Sequence, residues 1–556
     1  MTELLVVLVL ALVVIAGATV LGPRLGIASP LVLVAIGVVA SFLPVFSATH
    51  VESELILEGV LPPLLYSAAV SMPAMNFRRE FGAISGLSVL LVVASTLLLG
   101  LFFMLVLPGL GFAWGAALGA IVSPTDAVAT SIIKRTSVSQ RVVAMLDGES
   151  LLNDATALVL LRTAIVATAA TFSFWGAVGT FAYSVALALV VGAVVGWLNL
   201  LVRRRVTDPT VNTVISFAVP FVAFVPTELL GASGLVAAVV AGLATGIRAP
   251  RALSPQNRLS DSQNWRTVEL VLEGAVFLTM GVQIRPIVAN VELDHAGVAA
   301  SVLIAVGALA LTVLVRAAYV APLLGLLAGR ARRGEKMQAR MRGMQERMSS
   351  AEGRQEAFGE MSSRRRPASE RDLERFARRV TQVVADMEYF LREPLGWREG
   401  TAVVWAGMRG AVTVAAAQTL PDATPQRSVL VLVAFAVAAL SLLVQGGTIG
   451  PLLRLVAPQV DRASVDAAHD AEHTRIVELL RTSADTVPAP PAPVGDPTPE
   501  GFDVARGHRL AVIAAQRSAL LDARDNGTFD ADVLAGQLAN LDASQIAIEM
   551  RGRSLG

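Results

Sequence analysis

Apolar stretches about twenty residues long follow one another from residue 2 to residue 455, separated by short polar connections. A helix of that length and composition crosses the hydrocarbon core of a bilayer. The pattern predicts thirteen such helices, over residues 2–21, 27–44, 54–73, 82–107, 113–133, 139–169, 174–201, 211–227, 231–247, 263–282, 296–325, 398–420 and 427–453. The fold expected is therefore an all-α polytopic membrane protein. Three of the spans, 54–73, 139–169 and 263–282, carry charge that breaks their apolar pattern. The stretch from Met1 to Leu21 is apolar without a basic n-region, and no small-residue cleavage pattern follows it, so it reads as the first span.

Composition supports this class: 54% of the residues are hydrophobic and 16% charged, where soluble domains carry about 25% charged residues. Cysteine is absent, which excludes disulfides, Cys-based metal sites and thiol chemistry. Lys and Arg number 45 against 44 Asp and Glu, so the distribution of charge carries more information than its sum. Arg78 and Arg79, then Lys134, Arg135 and Arg141, then Arg203, Arg204 and Arg205, then Arg248 and Arg251 fall in alternate connections. The intervening connections at 46–54 and 421–426 are nearly free of Lys and Arg. The positive-inside rule puts the basic set in the cytoplasm, with the amino terminus outside the cell membrane and the carboxyl terminus inside.

Two segments depart from the membrane pattern. Residues 329–397 are rich in Arg, Glu and Met, with Arg364, Arg365 and Arg366 in a row. They read as a cytoplasmic loop within the transmembrane domain 1–455, either drawn to anionic lipid or a solvated helical hairpin. A cytoplasmic tail, 456–556, contains a proline-rich linker at 486–500. Helical patterns at 504–524 and 529–552 follow, joined by the turn Asp525-Asn526-Gly527. Leu534, Leu538, Leu541 and Ile546 give the last helix a packing stripe.

The chemistry is concentrated in spans that a purely structural helix would keep apolar. The fifth contains Ser123-Pro124-Thr125-Asp126-Ala127-Val128, and the sixth Asp147-Gly148-Glu149-Ser150-Leu151-Leu152-Asn153-Asp154. A carboxylate inside a membrane is costly and is placed in a bundle interior or a water-filled path. Pro124 removes a backbone donor in mid-span, and such breaks are tolerated where the backbone lines a protein-enclosed cavity. A broken helix beside a buried Asp supplies dipole ends, free carbonyls and negative charge, which suits a cation. Glu149 with Asn153, and Ser150 with Asp154, form adjacent i, i+4 stripes of hard oxygen ligands. Interhelical hydrogen bonding accounts for Asn153 or Ser150 alone but poorly for Asp126 together with Asp154.

The twelfth span carries Gly407-Met408-Arg409-Gly410, so a second break is expected there, and an arginine so deep needs a carboxylate or carbonyl partner. If the two halves are inverted-topology repeats, the two breaks fall at corresponding positions and cross near the midplane. Candidate partners for Arg409 are Glu149, Glu269 and Glu273, and Glu149 is the one expected, its carboxylate matching the guanidinium fork. Glu269 and Glu273, with Gln283 and Arg285 beyond them, are accessory candidates that pair with Arg409 or shape a cavity. Arg162 and Arg316 are further candidates for internal pairing, and Pro62 with Pro63 is expected to bend the third span. The glycine-rich run 110–119 reads as close helix packing, and no nucleotide fingerprint follows a strand. No cofactor and no nucleotide or nucleic-acid partner is expected, only membrane lipid. The five histidines, His50, His295, His469, His473 and His508, lie in connections or the tail, which leaves proton carriage to carboxylates.

Four runs together resemble the bacterial monovalent cation–proton antiporters of the sodium–proton exchanger type, kin to the animal exchangers. They are Leu61-Pro62-Pro63-Leu64-Leu65-Tyr66, Ser123-Pro124-Thr125-Asp126-Ala127-Val128, Gly148-Glu149-Ser150-Leu151-Leu152-Asn153-Asp154 and Met408-Arg409-Gly410-Ala411-Val412. The resemblance spans most of residues 1–455. It implies thirteen helices, a dimerisation region, a mobile core and a homodimer. It implies Asp154 as the shared cation and proton ligand, with the Ser150 hydroxyl and Thr125 carbonyl as further metal ligands. Asp126 is implied as the group that orients Asn153, and Glu149 with Arg409 as a pair holding the core together. An Asn before the essential Asp is typical of the electroneutral branch. Relatives often carry an acid where this chain has Ser67, which bears on cation choice among sodium, potassium and lithium. The expected function is thus sodium–proton antiport without enzymatic chemistry. A cation channel would share the buried oxygens but need no counter-moving proton, and a membrane receptor would leave Asp126 and Asp154 without a reason.

Overall fold

The computed structural model describes residues 2–24, 27–43, 52–134, 136, 138–169, 174–294, 297–349, 370–456, 462–490 and 499–553. Arg135, His50, His295, the run Arg364 to Arg366 and linker residues 491–498 lie outside them. All regular elements among the described residues are helices. They are α1 (Thr2–Arg24), α2 (Ser29–Ala40), α3 (Leu55–Ser71), α4 (Ala74–Val106), α5 (Gly111–Val122), α6 (Val128–Ile133) and α7 (Gln140–Ala169). Next come α8 (Phe174–Arg203), α9 (Pro209–Leu229), α10 (Gly234–Ala252), α11 (Pro255–Val282), α12 (Ile284–Leu293) and α13 (Val298–Ser349). The remainder are α14 (Glu370–Arg392), α15 (Trp397–Trp405), α16 (Ala411–Gln418), α17 (Arg427–Val456), α18 (Arg462–Asp485), α19 (Pro499–Asn526) and α20 (Ala531–Arg553).

The chain forms two compact units. The first comprises Met1–Ala252, Leu259–Leu324 and Gly396–Pro458. Among the described residues nine helices are long and apolar enough to cross a membrane, and α2, α3 and α5 are shorter apolar helices. Each of the thirteen predicted regions contains helix among its described residues, but they are not thirteen uniform spans. The predicted fourth span begins eight residues early because Ala74–Ser85 is helical and packs inward, its Glu80 paired with Arg141 of α7 at 2.7 Å. Arg78 and Arg79 therefore sit on a helix rather than in a loop. Arg141 and Arg203, counted above as loop cations, are buried ion-pair partners.

Local sequence explains several departures from straight helices. Pro62 and Pro63 cannot donate to the carbonyls four residues back, and the turn before them, Leu55–Val60, is wound wide as a π-helix. In α9, Asp208 caps the helix by accepting from the Val211 amide, and Pro209 occupies the first turn where its missing donor costs nothing. The 110–119 run does pack closely: a Cβ on Gly115 would stand 2.5 Å from the Gly100 carbonyl oxygen of α4. The first half of α17 is buried on every side, with Leu430, Val433, Ala434, Val437 and Ala438 in the largest apolar core.

The second unit comprises Leu253–Arg258, Gly325–Leu395 and Gln459–Gly556. α18, which sequence periodicity did not reveal, packs with α19 and α20 around Ile476, Ile513, Leu520, Leu534 and Leu541. The turn between α19 and α20 has Gly527 at φ +72°, its amide closing onto the Arg524 carbonyl.

Candidate cation site

The fifth predicted span breaks where Pro124 demands it. α5 ends at Val122, residues 123–127 are unwound, and α6 resumes at Val128. Pro124 leaves the Ala120 carbonyl without its helical donor, and the Ser123 hydroxyl takes that place at 3.2 Å. The second break lies between α15 and α16, at residues 406–410.

The two breaks complete one another. The Asp126 amide donates to the Met408 carbonyl at 2.7 Å. In return Arg409 places its guanidinium on the carbonyls that end α5, Nε to Val122 at 2.9 Å and Nη2 to Ser123 at 3.3 Å, and also bonds the Gly407 carbonyl. The Arg409 amide donates to the Ser441 hydroxyl of α17 at 2.9 Å, just before the π-wound stretch Leu442–Gly446. A cation thus caps a helix C-terminus. The Asp126 carboxylate accepts from the Val128 amide at the start of α6 and packs on Gly410 at the start of α16, so an anion faces two helix N-termini. A Cβ on Gly410 would stand 1.5 Å from Asp126 Oδ2, which is why this position carries no side chain.

This geometry corrects two expectations. Arg409 is satisfied by carbonyls, and the partner of Glu149 is Arg316 of α13. Arg316 Nη2 lies 2.7 Å from Glu149 Oε2 while Nη1 bonds Oε1. Arg316 Nε reaches the Val403 carbonyl of α15 at 2.8 Å, so this buried fork ties α7, α13 and α15 together. Asn153 is held by Thr125 and not by Asp126: its Nδ2 donates to Thr125 Oγ1 at 2.7 Å and to the Thr125 carbonyl at 3.2 Å. Thr125 Oγ1 in turn donates to Glu149 at 3.2 Å. Arg162 of α7, flagged beside Arg316, pairs with Glu228 of α9 at 2.6 Å.

Asp154 stands one step around α7 from this network and has no hydrogen bond or ion pair among the described residues. It borders a cavity of about 140 Å³ whose other polar lining comes from Thr125, Asp126, Ser150, Glu269, Glu273 and Thr413. Ser150 donates to the Asp147 carbonyl at 3.2 Å, which spends its proton and leaves its lone pairs free. Behind Asp154 lies a cavity of only about 10 Å³ against Ile121, Leu161 and Ala416, too small to hold much water. Pro124, Thr125, Asp126, Ser150 and Asp154 are therefore brought together at one cavity, and Asn153, Glu149 and Arg409 lie in the bonded layer behind it. Arg285 is not: it is exposed on the first turn of α12. Ser67 is buried outside the cavity lining and donates to Glu269 at 3.3 Å.

Two members of one polar stripe, Asp261 and Trp265, were not read from the sequence. Asp261, Trp265, Glu269 and Glu273 recur every four residues along α11. Asp261 pairs with Arg203 of α8 at 3.0 Å, and Trp265 Nε1 donates to Ser216 of α9 at 2.9 Å. The signal was present as spacing, but Asp261 precedes the predicted span and Arg203 follows one, so both read as loop charges.

The chain matches the family model described as "Sodium/hydrogen exchanger, transmembrane" over residues 8–351 and 375–455. An uncharacterised Na(+)/H(+) exchanger of Mycobacterium bovis is 25% identical over 98% of this chain and 96% of its own length. A sodium, potassium, lithium and rubidium/H(+) antiporter of Bacillus subtilis is 30% identical over 48% of this chain and 41% of its own. In fold, the chain is similar to the sodium proton antiporter of Methanocaldococcus jannaschii solved at pH 8, with a TM-score of 0.54 and 15% identity over 82% of this chain and 100% of that one. The extent of the family match, over a helical bundle with two broken helices joined at a carboxylate-lined cavity, assigns this chain to the sodium/hydrogen exchanger family of membrane antiporters.

Proposed function

We propose that the chain exchanges sodium for protons across the cytoplasmic membrane by alternating access, with Asp154 as the carboxylate for which the two ions compete. The observation that carries this reading is the unpaired Asp154 carboxylate at the junction of two broken helices. A bound cation would take Asp154, the Ser150 hydroxyl and the Thr125 carbonyl, all hard oxygens suited to an alkali metal ion. Asn153 holds Thr125 in place, and Asp126 holds the two breaks together. Coupling follows from electrostatics. An empty, charged Asp154 is costly to carry through an apolar barrier, whereas the cation-bound or protonated group is not.

The exchange is one for one and electroneutral on this reading, following the Asn153-Asp154 pair. Potassium and lithium are further candidate substrates, in keeping with the range in the name of the Bacillus subtilis relative. The working unit is a homodimer of chains with thirteen spans, the amino terminus outside and the tail cytoplasmic. Purified protein in proteoliposomes with opposed sodium and proton gradients tests this directly. Proton flux that requires counter-moving cation supports antiport; cation flux without it means a channel. A series with sodium, potassium and lithium sets the preference.

A further inference from the structure

We propose that Glu273 is a second cation ligand of this site, reaching the cavity from α11 while Asp154 reaches it from α7. The inference rests on the antiport reading and adds to it a residue that sets cation affinity. The polar stripe of α11 is tied off at three of its four positions: Asp261 by Arg203, Trp265 by Ser216 and Glu269 by Ser67. These bonds go to three different helices, α8, α9 and α3, so they fix the rotation and height of α11. Glu273 is one turn further along the same stripe and lines the cavity with Asp154, Ser150 and Thr125. It has no hydrogen bond or ion pair among the described residues. Arg409, the nearest candidate from sequence, is occupied by backbone carbonyls.

A carboxylate kept in a membrane without a protein partner needs another cation or a proton. A structural role explains the three tied residues and leaves Glu273 unexplained. Asp261, Trp265 and Glu269 are then positioning residues, and Glu273 is the ligand.

The test compares parent, Glu273→Gln and Glu273→Asp protein in proteoliposomes, reading half-saturating sodium and maximal rate separately. Sodium-dependent thermal stabilisation of the purified proteins gives an independent affinity. Loss of a charged ligand should raise half-saturating sodium by about tenfold or more in Glu273→Gln while the rate at saturation stays near the parent's. Glu273→Asp, which keeps the charge on a shorter stem, should fall between. Half-saturation at the parent value in the variants overturns the assignment; if Glu273→Gln does not fold, Glu273→Asp alone decides in the same way. Failure of the underlying reading looks different. A parent without sodium-coupled proton flux, or exchange that survives loss of the Asp154 carboxylate, removes antiport at Asp154 and this assignment with it.

Discussion

The Arg316 guanidinium lies fork to fork on the Glu149 carboxylate, Nη2 to Oε2 at 2.7 Å, with both side chains 2% exposed. Glu149 also receives Thr125, which receives Asn153, so the ion pair sits one bond behind the residues that face the cavity. Removing either charge leaves the other buried without a counterion, at a cost of about 3–5 kcal/mol. Arg316→Ala and Glu149→Ala should each lower the melting temperature of purified protein, and the double variant should recover part of the loss. Additive losses would mean that the two are not energetic partners. Arg316→Lys keeps the charge but not the fork, and should melt below the parent.

Arg409 should behave differently in the same cycle. Its guanidinium satisfies the Val122, Ser123 and Gly407 carbonyls, and each carbonyl left dry costs about 1–3 kcal/mol. Arg409→Ala should destabilise strongly, yet its effect should add to that of Glu149→Ala without rescue. Rescue in the double variant would restore the Arg409–Glu149 pair and overturn the assignment of Arg316.

Gly410→Ala tests the contact between the breaks. The added methyl group cannot share space with Asp126 Oδ2, so the α16 N-terminus or Asp126 must move. Sodium–proton exchange should fall at least tenfold, on the scale that misplacing reacting groups by about an ångström costs. Gly447→Ala, where nothing lies within 4 Å of the new atom, is the control and should exchange as the parent does. Equal activity in both would mean that the site tolerates separation of the breaks.

Ser67→Ala removes the hydroxyl that holds the cavity-lining Glu269, while Ser67 itself lies outside the lining. Half-saturating sodium should rise by no more than a few-fold, because the hydroxyl acts on the ion only through Glu269. A change as large as loss of Asp154 would make Ser67 a ligand in its own right.

The breaks were legible because their causes are local. Pro124 cannot donate, and Gly407 with Gly410 marks a place where backbone must approach closely, so both unwound segments could be placed within a few residues. Asp154, Ser150 and Thr125 share a cavity because i, i+4 spacing on α7 and the break after α5 leave few other arrangements. Arg316 was harder. It is 167 residues from Glu149, and nothing local separates it from Arg409, which has equal charge and lies equally deep. The choice depends on the carbonyls at the end of α5, which absorb Arg409 before a carboxylate is needed. Arg203 and Asp261 were hidden for another reason: each lies at a span end, where a charge ordinarily reaches water, whereas here Arg203 meets Asn212 and Ser216 of α9 as well as Asp261. The tail helix α18 escaped notice because its inward face is made by contact with α19, with no long apolar stripe of its own.

The central claim is that sodium and protons compete for Asp154. Parent and Asp154→Asn protein, matched for melting temperature and oligomeric state, should be placed in proteoliposomes and given an outward proton gradient followed by external sodium. The parent should release its proton gradient on sodium addition, and Asp154→Asn should not, at any sodium concentration. Sodium-driven proton movement at the parent rate in Asp154→Asn would contradict the account.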